Sequence, residues 1–398
     1  MFSSLQVRDF RVYWFGMFIS LTGTWIQQVA QSWLVFELTN SAFLLGVVGF
    51  LSSLPIFLLA LFGGVLADRL NKRNILILTQ IAFMLLAFVL AILTQIKLIT
   101  PSQIMLIALL NGAVMAFDAP ARQSVVVELV GKAHLFNAIA LNSVAFNSSR
   151  VIGPAIAGIL VSTIGMSGCF YINGVSFLAV LIALWTIRIK KGENYNKPQG
   201  AWEDLKEGLI FIKNHRLILA LISMVAAASL FGVAHIILMP IFADEVLKVG
   251  VKGLGVLMSV AGGGALVGAL LLARLGDFRH KGRLLSFSTL LFSVSLIVFA
   301  LSRAYWLSLT ALFLVGGTSV TSIALVNTLL QTRVEDKFRG RVMSVFMITF
   351  AGFMPFGNLL AGSVAQALGV ALTVALGGLA CLIFFLAVNI LYPKIREI

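Results

Sequence analysis

Long apolar runs alternate with short polar breaks along the whole 398-residue chain. Each run is about 20 residues or longer, the length that an α-helix needs to cross the hydrocarbon core of a bilayer. We therefore predict an all-α polytopic membrane protein with about twelve spans. Their predicted bounds are 11–36, 43–67, 74–96, 101–122, 138–163, 166–187, 217–243, 251–274, 284–302, 304–328, 339–365 and 367–392.

The longest polar stretch divides the chain near its middle. It opens with the charged segment KKGENYNKPQG and continues as AWEDLKEGLIFIKN. The second segment places Trp202, Leu205, Leu209 and Ile212 on one helical face, as in an amphipathic helix on the inner membrane surface. The predicted organisation is an N-terminal six-helix bundle, a cytoplasmic linker and a C-terminal six-helix bundle, at 1–187, 188–216 and 217–398.

The composition supports the membrane location, since 60% of the residues are hydrophobic and 11% are charged. The net charge of +14 would suit a nucleic-acid partner, but topology accounts for it. The basic residues fall in predicted cytoplasmic segments except Arg150, which lies within a span, and the outer residues Lys97, Lys248, Lys252 and Arg303. This bias predicts cytoplasmic termini and a lipid bilayer, not nucleic acid, as the partner.

A charged loop, GGVLADRLNKRNIL at residues 63–76, joins the second and third predicted spans. Residues 46–76 align with residues 255–285 at a constant offset, which places Asp68 on Asp277. The pattern G-x-x-x-D-R-x-x-K-R resembles the signature loop of the major facilitator superfamily, with Asn71 at a usual glycine. Asn is the residue that next best tolerates a left-handed turn there. The resemblance implies two pseudo-symmetric six-helix bundles related as parallel repeats.

Two further segments are similar to one exporter branch of that superfamily, which holds the enterobactin exporter and the macrolide efflux proteins. They are WIQQVAQSWLVFELTNSA at 25–42 and the region 117–177, which begins FDAPARQSVVVELV; RVEDKFRGRVMS at 333–344 adds a weaker likeness. The segment from Arg150 to Gly158 resembles the fifth-helix antiporter motif, in which Gly153 and Pro154 bend the helix. Arg150 departs from the motif, which often begins with glycine.

The first predicted span carries a polar stripe. Thr24, Gln27, Gln28 and Gln31 recur at i, i+3, i+4 and i+7, and such a stripe must face protein or water inside a bilayer. We interpret it as the wall of a substrate cavity; the alternative is interhelical hydrogen bonding with no substrate role. The other cavity candidates are Trp25, Asn111, Met115, Phe231, His235 and Met239.

Arg150 lies about 18 Å along the fifth predicted span, near the bilayer middle. A lone cation at that depth must find an anion or carbonyl groups. It is either part of a substrate-anion or proton-linked switch, or a structural partner of Asp118 or of carbonyls. With Arg150, the candidates for proton coupling are Asp118, Glu37 and His235. A lone intramembrane histidine is as often a packing residue.

The paired loops suggest gating. Asp68 should lie beside the positive dipole end of the eleventh predicted span, near Arg339, when the inner side is closed. Asp277 should lie in the same way beside the positive dipole end of the fifth predicted span. The gating candidates are Gly64, Asp68, Arg69, Arg73, Asp277 and Arg341.

The resemblance implies proton-coupled efflux of hydrophobic or amphiphilic small molecules, multidrug-, macrolide- or siderophore-like, by alternating access. It further implies a monomer in the bacterial inner membrane whose partners are substrate, protons and lipid. A lipid or lysolipid transporter is the alternative within transport, and a membrane receptor is the alternative outside it. The sequence offers no phosphate loop, nucleophile–base pair or metal-ligand spacing, so we predict neither an enzyme nor a cofactor.

Overall fold

The computed structural model describes residues 3–187, 201–276 and 278–397, and nearly all of them are helical. Within helices, it leaves out the side chains of Leu61, Asp68, Lys132, Ala133, residues 201–205 and Glu397. The helices are α1 (Arg8–Thr39), α2 (Ala42–Arg69), α3 (Lys72–Gln95), α4 (Pro101–Thr186), α5 (Ala201–Asn214), α6 (Arg216–Phe231), α7 (Ala234–Ile237), α8 (Met239–Ile241), α9 (Gly250–Leu275), α10 (Lys281–Leu301), α11 (Tyr305–Arg333), α12 (Asp336–Leu368) and α13 (Val370–Leu391). Short 3-10 helices lie at Ser3–Gln6 and Pro393–Glu397. The all-α prediction is confirmed.

Helix α4 contains three predicted spans. Its backbone leaves helical torsions at Gly131 (φ 65°) and Gly165 (φ 76°), which is a conformation that glycine adopts without strain. We name the three parts α4a (101–130), α4b (132–164) and α4c (166–186). The boundary between the predicted spans 138–163 and 166–187 therefore coincides with the break in helical torsions at Gly165.

The seventh predicted span, 217–243, is not one continuous helix. Helix α6 ends at Phe231, and α7, α8 and a π-helical turn at Phe242–Val246 follow. Pro240 lies in α8, where its ring and missing N–H prevent the regular ladder of hydrogen bonds. His235 Nδ1 lies 2.8 Å from the carbonyl oxygen of Gly232, beside the end of α6.

Ten helices in the described ranges are long and apolar enough to cross a membrane. One of them, His134–Thr186, has 53 residues and would measure about 80 Å, enough for two crossings. Helix α1 has 32 residues but carries the polar stripe and is not among the ten. The ten helices are thus compatible with the predicted twelve spans.

The start of α3 departs from the expected left-handed turn. Asn71 has extended torsions (φ −68°, ψ 111°) and acts as the N-cap, its side chain accepting a hydrogen bond from the Arg73 N–H at 3.0 Å. A capping side chain satisfies one of the free N–H groups of the first helical turn, so Asn serves a different purpose from the usual glycine. The repeat places Lys72 on Lys281, and these two residues begin α3 and α10.

The chain forms two compact units. Unit 1 comprises Met1–Leu44, Leu51–Asn196 and Val249–Ser259, and unit 2 comprises Leu45–Phe50, Lys197–Lys248 and Val260–Ile398. The division predicted at residues 188–216 stays a prediction; residues 188–200 lie outside the described part of the chain.

Glycines set the helix spacing within each unit. A Cβ atom at Gly63 would lie 2.1 Å from the carbonyl oxygen of Ala116, so only glycine lets α2 and α4a approach this closely. At the gating candidate Gly64, by contrast, a Cβ atom would meet nothing within 4 Å. In unit 2, α9 and α11 approach as closely, since a Cβ atom at Gly264 would lie 1.9 Å from the Phe313 carbonyl oxygen.

Helix α5 packs against the start of α12 within unit 2. The ring of Phe211 stacks on Phe338 with 4.4 Å between centroids, and Glu207 pairs with Arg341 at 2.6 Å. Ile212 is buried, as expected for the apolar face, but Leu209 is exposed. The side chains of Trp202 and Leu205 lie outside the described set, so the membrane-surface placement of α5 stays a prediction.

Candidate functional site

The carboxylate of Asp118 is completely buried in α4a and is bound by three side chains. The Thr79 hydroxyl and the Gln80 amide each donate a hydrogen bond to Oδ1 at 2.8 Å. Arg122 lies one turn later on the same helix face and pairs with Oδ2. The carboxylate therefore links α3 to α4a, because Thr79 and Gln80 belong to α3.

Around this carboxylate, three buried polar atoms have no hydrogen-bond partner among the described residues. They are the hydroxyl oxygen of Tyr13, Oε1 of Gln80 and Nε of Arg122. Tyr13 extends from α1 into the core that includes Ala121, and it interacts electrostatically with Arg122 and Asp118. A buried polar atom without a partner costs about 1–3 kcal/mol, so such a concentration points to function. We call Tyr13, Thr79, Gln80, Asp118 and Arg122 the inner polar cluster.

Arg150 lies apart from the inner polar cluster. Of the alternatives for Arg150, the structural ion pair with Asp118 is not formed, because Arg122 pairs with that carboxylate. The guanidinium carbon of Arg150 lies 5.9 Å from the centre of the Trp25 ring. Phe146, one turn earlier on α4b, meets the same ring edge-to-face at 6.0 Å. A cation–π contact contributes about 0.5–2 kcal/mol, less than the roughly 2.5–3.5 kcal/mol that inserting an arginine at mid-membrane costs.

The backbone beside Arg150 is fixed against α1. Ser149 is fully buried; its hydroxyl accepts from Thr22 at 3.1 Å and donates to the Phe18 carbonyl at 3.3 Å. A Cβ atom at Gly153 would lie 2.4 Å from the Cβ of Trp25, so glycine is needed for this approach. Helical torsions continue through Gly153 and Pro154, and the predicted bend stays a prediction.

The polar stripe of α1 contains both buried side chains that bond within the protein and side chains that are exposed on its surface. Gln27 is buried and accepts a hydrogen bond from the Asn173 amide at 2.7 Å, while Thr24 donates to the carbonyl of Ser20 in its own helix. Gln28 is exposed and Gln31 is partly exposed. Neither has a hydrogen bond to another described residue. The hydrogen bond of Gln27 matches the interhelical alternative. The exposure of Gln28 and Gln31 is what the cavity interpretation requires.

The other predicted cavity residues differ in burial. Met239 and His235 are buried in the broken seventh span. Met115 is partly buried against the core pair Phe83 and Phe177. Asn111 and Phe231 are also partly exposed. Of the remaining coupling candidates, Glu37 is exposed and accepts a hydrogen bond from Trp33 at 3.1 Å.

The predicted gating residues have separate partners. Arg73 donates to the carbonyls of Leu184 and Trp185 at 2.7 and 3.2 Å, where it stabilises the end of α4c. Arg341 pairs with Glu207, as described above, and Arg69 is exposed. Asp277 and the side chain of Asp68 lie outside the described residues, so the dipole contacts stay predictions.

Sequence reasoning missed four members of the inner polar cluster. Asp118-x-x-x-Arg122 has the i, i+4 spacing of a helical ion pair, which would have found Arg122. Thr79 and Gln80 gave no such signal, because their role depends on the packing of α3 against α4a. No group of His, Cys, Asp or Glu residues in the described part of the chain could hold a metal ion.

Comparisons with known proteins place these sites in context. The profile of a family described as transmembrane secretion effector matches residues 1–397. The chain is 25% identical to the staphyloferrin A transporter of Staphylococcus aureus, covering 97% of both proteins. It is 25% identical to the multidrug efflux pump Tap of Mycolicibacterium fortuitum, covering 96% of both. It is 24% identical to macrolide efflux protein A of Streptococcus pyogenes, covering 98% of this chain and 96% of that one.

Solved structures share the fold at lower identity. A bacterial homologue of the human lysosomal transporter Spinster, inward-facing and unoccupied, matches with a TM-score of 0.74 at 15% identity, covering 98% of this chain and 96% of that one. The nucleoside transporter NupG, solved as a point mutant, matches with a TM-score of 0.74 at 14% identity, covering 96% of this chain and 99% of that one.

Proposed function

The chain belongs to the transmembrane secretion effector family of major facilitator transporters, and on that premise we propose that it is a proton-coupled exporter. Its substrates are hydrophobic or amphiphilic small molecules, and it moves them by alternating access. Two relatives are named as multidrug or macrolide efflux proteins and one as the staphyloferrin A transporter, which supports export of small molecules of this class. The family and these relatives are transporters, not enzymes.

The inner polar cluster carries the proposal of proton coupling. Asp118 is the single Asp, Glu, Lys or Arg residue that is buried among the described residues, and its charge holds Arg122, Thr79 and Gln80 in place. Protonation of Asp118 removes the ion pair and weakens both hydrogen bonds. The free Tyr13 hydroxyl and Gln80 Oε1 are then available as new partners. Proton binding would thereby loosen the contact between α3 and α4a, which is how a proton can favour one conformation.

The residues proposed to contact substrate lie on α1 and α4. Trp25, Gln28 and Gln31 are partly or fully exposed on α1, and Asn111 and Met115 are partly exposed on α4a. Amide groups beside aromatic and thioether side chains suit molecules that have both polar and apolar parts. The same composition would suit a lysolipid, so the transport assay includes one.

Cellular placement and assembly complete the proposal. The excess of Lys and Arg on one side of the predicted topology supports cytoplasmic termini and a location in the bacterial inner membrane. Asp68 and Asp277 would then lie at the inner gate, with Gly64, Arg69 and Arg73 close to Asp68 in sequence and Arg341 near the start of α12. We propose a monomer, because each chain supplies both halves of the fold.

The test is transport by purified protein in liposomes with an imposed pH gradient. The panel comprises a cationic, a neutral and an anionic fluorescent dye and a fluorescent lysolipid. We expect gradient-driven movement of at least one dye by the wild type, and its loss in Asp118→Asn. Asp336→Asn is the matched control, because the carboxylate of Asp336 is exposed. Dye transport that is equal with and without the gradient would reject proton coupling. Movement of the lysolipid alone would reject the hypothesis of small-molecule export in favour of lipid transport.

A further inference from the structure

We infer that Arg150, Trp25 and Phe146 form a binding site for an anionic group carried by an aromatic or apolar molecule. We call these three residues the Arg150 site. The inference rests on the proposed function and narrows its substrate class, because the transported molecule is to supply the anion that Arg150 does not find among the described residues.

The first observation is that Arg150 has no counterion among the residues that the structure describes. Its guanidinium makes no ion pair and no hydrogen bond with any described residue, and it contacts the face of Trp25. Asp118, the acid expected as its partner, is fully occupied by Arg122, Thr79 and Gln80. A cation within a membrane span normally pairs with an anion or with carbonyl oxygens. All the donors of this guanidinium are therefore left for a ligand.

The second observation is that the site is accessible from the surface of unit 1. Arg150 and Trp25 are partly exposed, and the exposed fraction of Phe146 is 47%. Gln28 lies one turn from Trp25 on α1, and its amide is exposed without a hydrogen bond to another described residue. A guanidinium, two aromatic rings and a free amide thus lie on neighbouring helices.

The third observation is that the site is rigid. Buried Ser149 bonds to Thr22 and to the carbonyl of Phe18, which fixes α4b against α1 next to Arg150. The missing side chain at Gly153 lets the backbone of α4b reach the Cβ of Trp25. The helix backbones that carry Trp25 and Arg150 are therefore packed together before any ligand binds, which reduces the reorganisation that binding requires.

The chemistry of these groups selects the ligand. A guanidinium offers parallel N–H donors that match the two oxygens of a carboxylate or phosphate, and its charge opposes a cationic ligand. Trp25 and Phe146 add contacts for an aromatic or apolar body next to that anion. The shared feature is an anionic oxygen group, from a soluble carboxylate or from a lipid phosphate.

The test is equilibrium binding to the purified protein in detergent, with dansylglycine as the anionic probe and dansylglycinamide as its neutral counterpart. We expect the wild type to bind the acid about tenfold more tightly than the amide, as for one charge-assisted hydrogen-bonded pair. Arg150→Gln should abolish this preference and leave the affinity for the amide unchanged. Arg150→Lys should keep part of it, because an ammonium lacks the planar fork. Arg303→Gln, which removes an exposed outer charge, is the control and should bind as the wild type does.

Three outcomes would overturn the inference: no preference for the acid in the wild type, a preference that survives in Arg150→Gln, or equal weakening of acid and amide. If Arg150→Gln loses its helical circular dichroism, Arg150→Lys decides the matter by the same comparison. Competition by lysophosphatidylglycerol that depends on Arg150 would identify a lipid phosphate as a second source of the anion. Binding is measured without a gradient, so the two proposals are tested separately. If the wild type transports dye but shows no preference for the acid, the inference about the Arg150 site is rejected and the proposed function is retained.

Discussion

The ion pair between Asp118 and Arg122 gives the most direct test of the inner polar cluster. The carboxylate is fully buried, while the side chain of Arg122 keeps 23% of its exposure. Breaking a fully buried pair costs about 3–5 kcal/mol, and partial hydration of Arg122 lowers that range. Hydrogen bonds to charged groups contribute about 1.5–3 kcal/mol, so we expect an interaction energy of that size between the two residues.

The assay is a double-mutant cycle with Asp118→Asn, Arg122→Gln and the double variant, unfolded reversibly in mixed micelles and followed by circular dichroism. The amide oxygen of the Asp118→Asn variant would still accept from Thr79 and Gln80, so the cycle isolates the charge interaction. The control cycle uses Asp336 and Arg339, an i, i+3 pair in α12 whose side chains are 88% and 44% exposed. That pair should couple by no more than about 0.5 kcal/mol.

An interaction energy for Asp118 and Arg122 as small as that of the exposed pair would refute the reasoning. It would mean that water reaches the carboxylate, and Asp118 would then lose its place as the proposed coupling residue. A large interaction energy together with unimpaired gradient-driven transport in Asp118→Asn would make the cluster structural only.

Two further variants test the packing. Gly264→Ala should lower the free energy of unfolding by about 1–3 kcal/mol, because the added Cβ would lie 1.9 Å from the carbonyl oxygen of Phe313. The control Gly263→Ala adds its Cβ to open space and should be neutral or stabilising. Equal effects of the two variants on unfolding in mixed micelles would contradict the close packing of α9 and α11. Gln27→Leu should destabilise by about 1–3 kcal/mol, since it leaves the buried amide of Asn173 without its acceptor, yet leave the acid preference in dansyl binding intact. Loss of that preference would instead assign Gln27 to the binding site.

The hydrophobic pattern predicted most of the fold because helix length in a bilayer is a strong physical constraint. It failed where a local torsion decides the outcome. A periodic pattern does not show whether a helix is continuous, and the predicted span 217–243 is interrupted after Phe231 and again at Leu238, just before Pro240. The comparison of Asn71 with the usual glycine predicted a left-handed turn, whereas Asn71 is the N-cap of α3.

The candidate site was less predictable, because its members come together only through tertiary packing. Asp118 and Arg150 stand out in the sequence as charges within apolar spans, yet their partners do not. An ion pair between the two was one of the alternatives for Arg150, and the structure instead gives Asp118 a partner one turn away on its own helix. The superfamily resemblance, which rested on loop and helix motifs, is confirmed by the family match. The roles that this resemblance implies for individual residues stay predictions.

The two units differ in their buried polar chemistry, although the sequence repeat made them look equivalent. In unit 2, buried hydroxyls such as Ser286, Thr289 and Ser293 donate to carbonyls of their own helix, and the bond between helices from Ser288 to Ser322 joins two neutral hydroxyls. In unit 1, Asp118 cannot be satisfied in this way, because a buried carboxylate needs several donors and receives two of them from α3. Movement of α3 against α4a must therefore break a bond to a charged group, while hydroxyls bonded within one helix are unaffected when that helix moves. A change in the charge of Asp118 consequently acts on the packing of unit 1 in particular, and that asymmetry is the physical reason to look for coupling there.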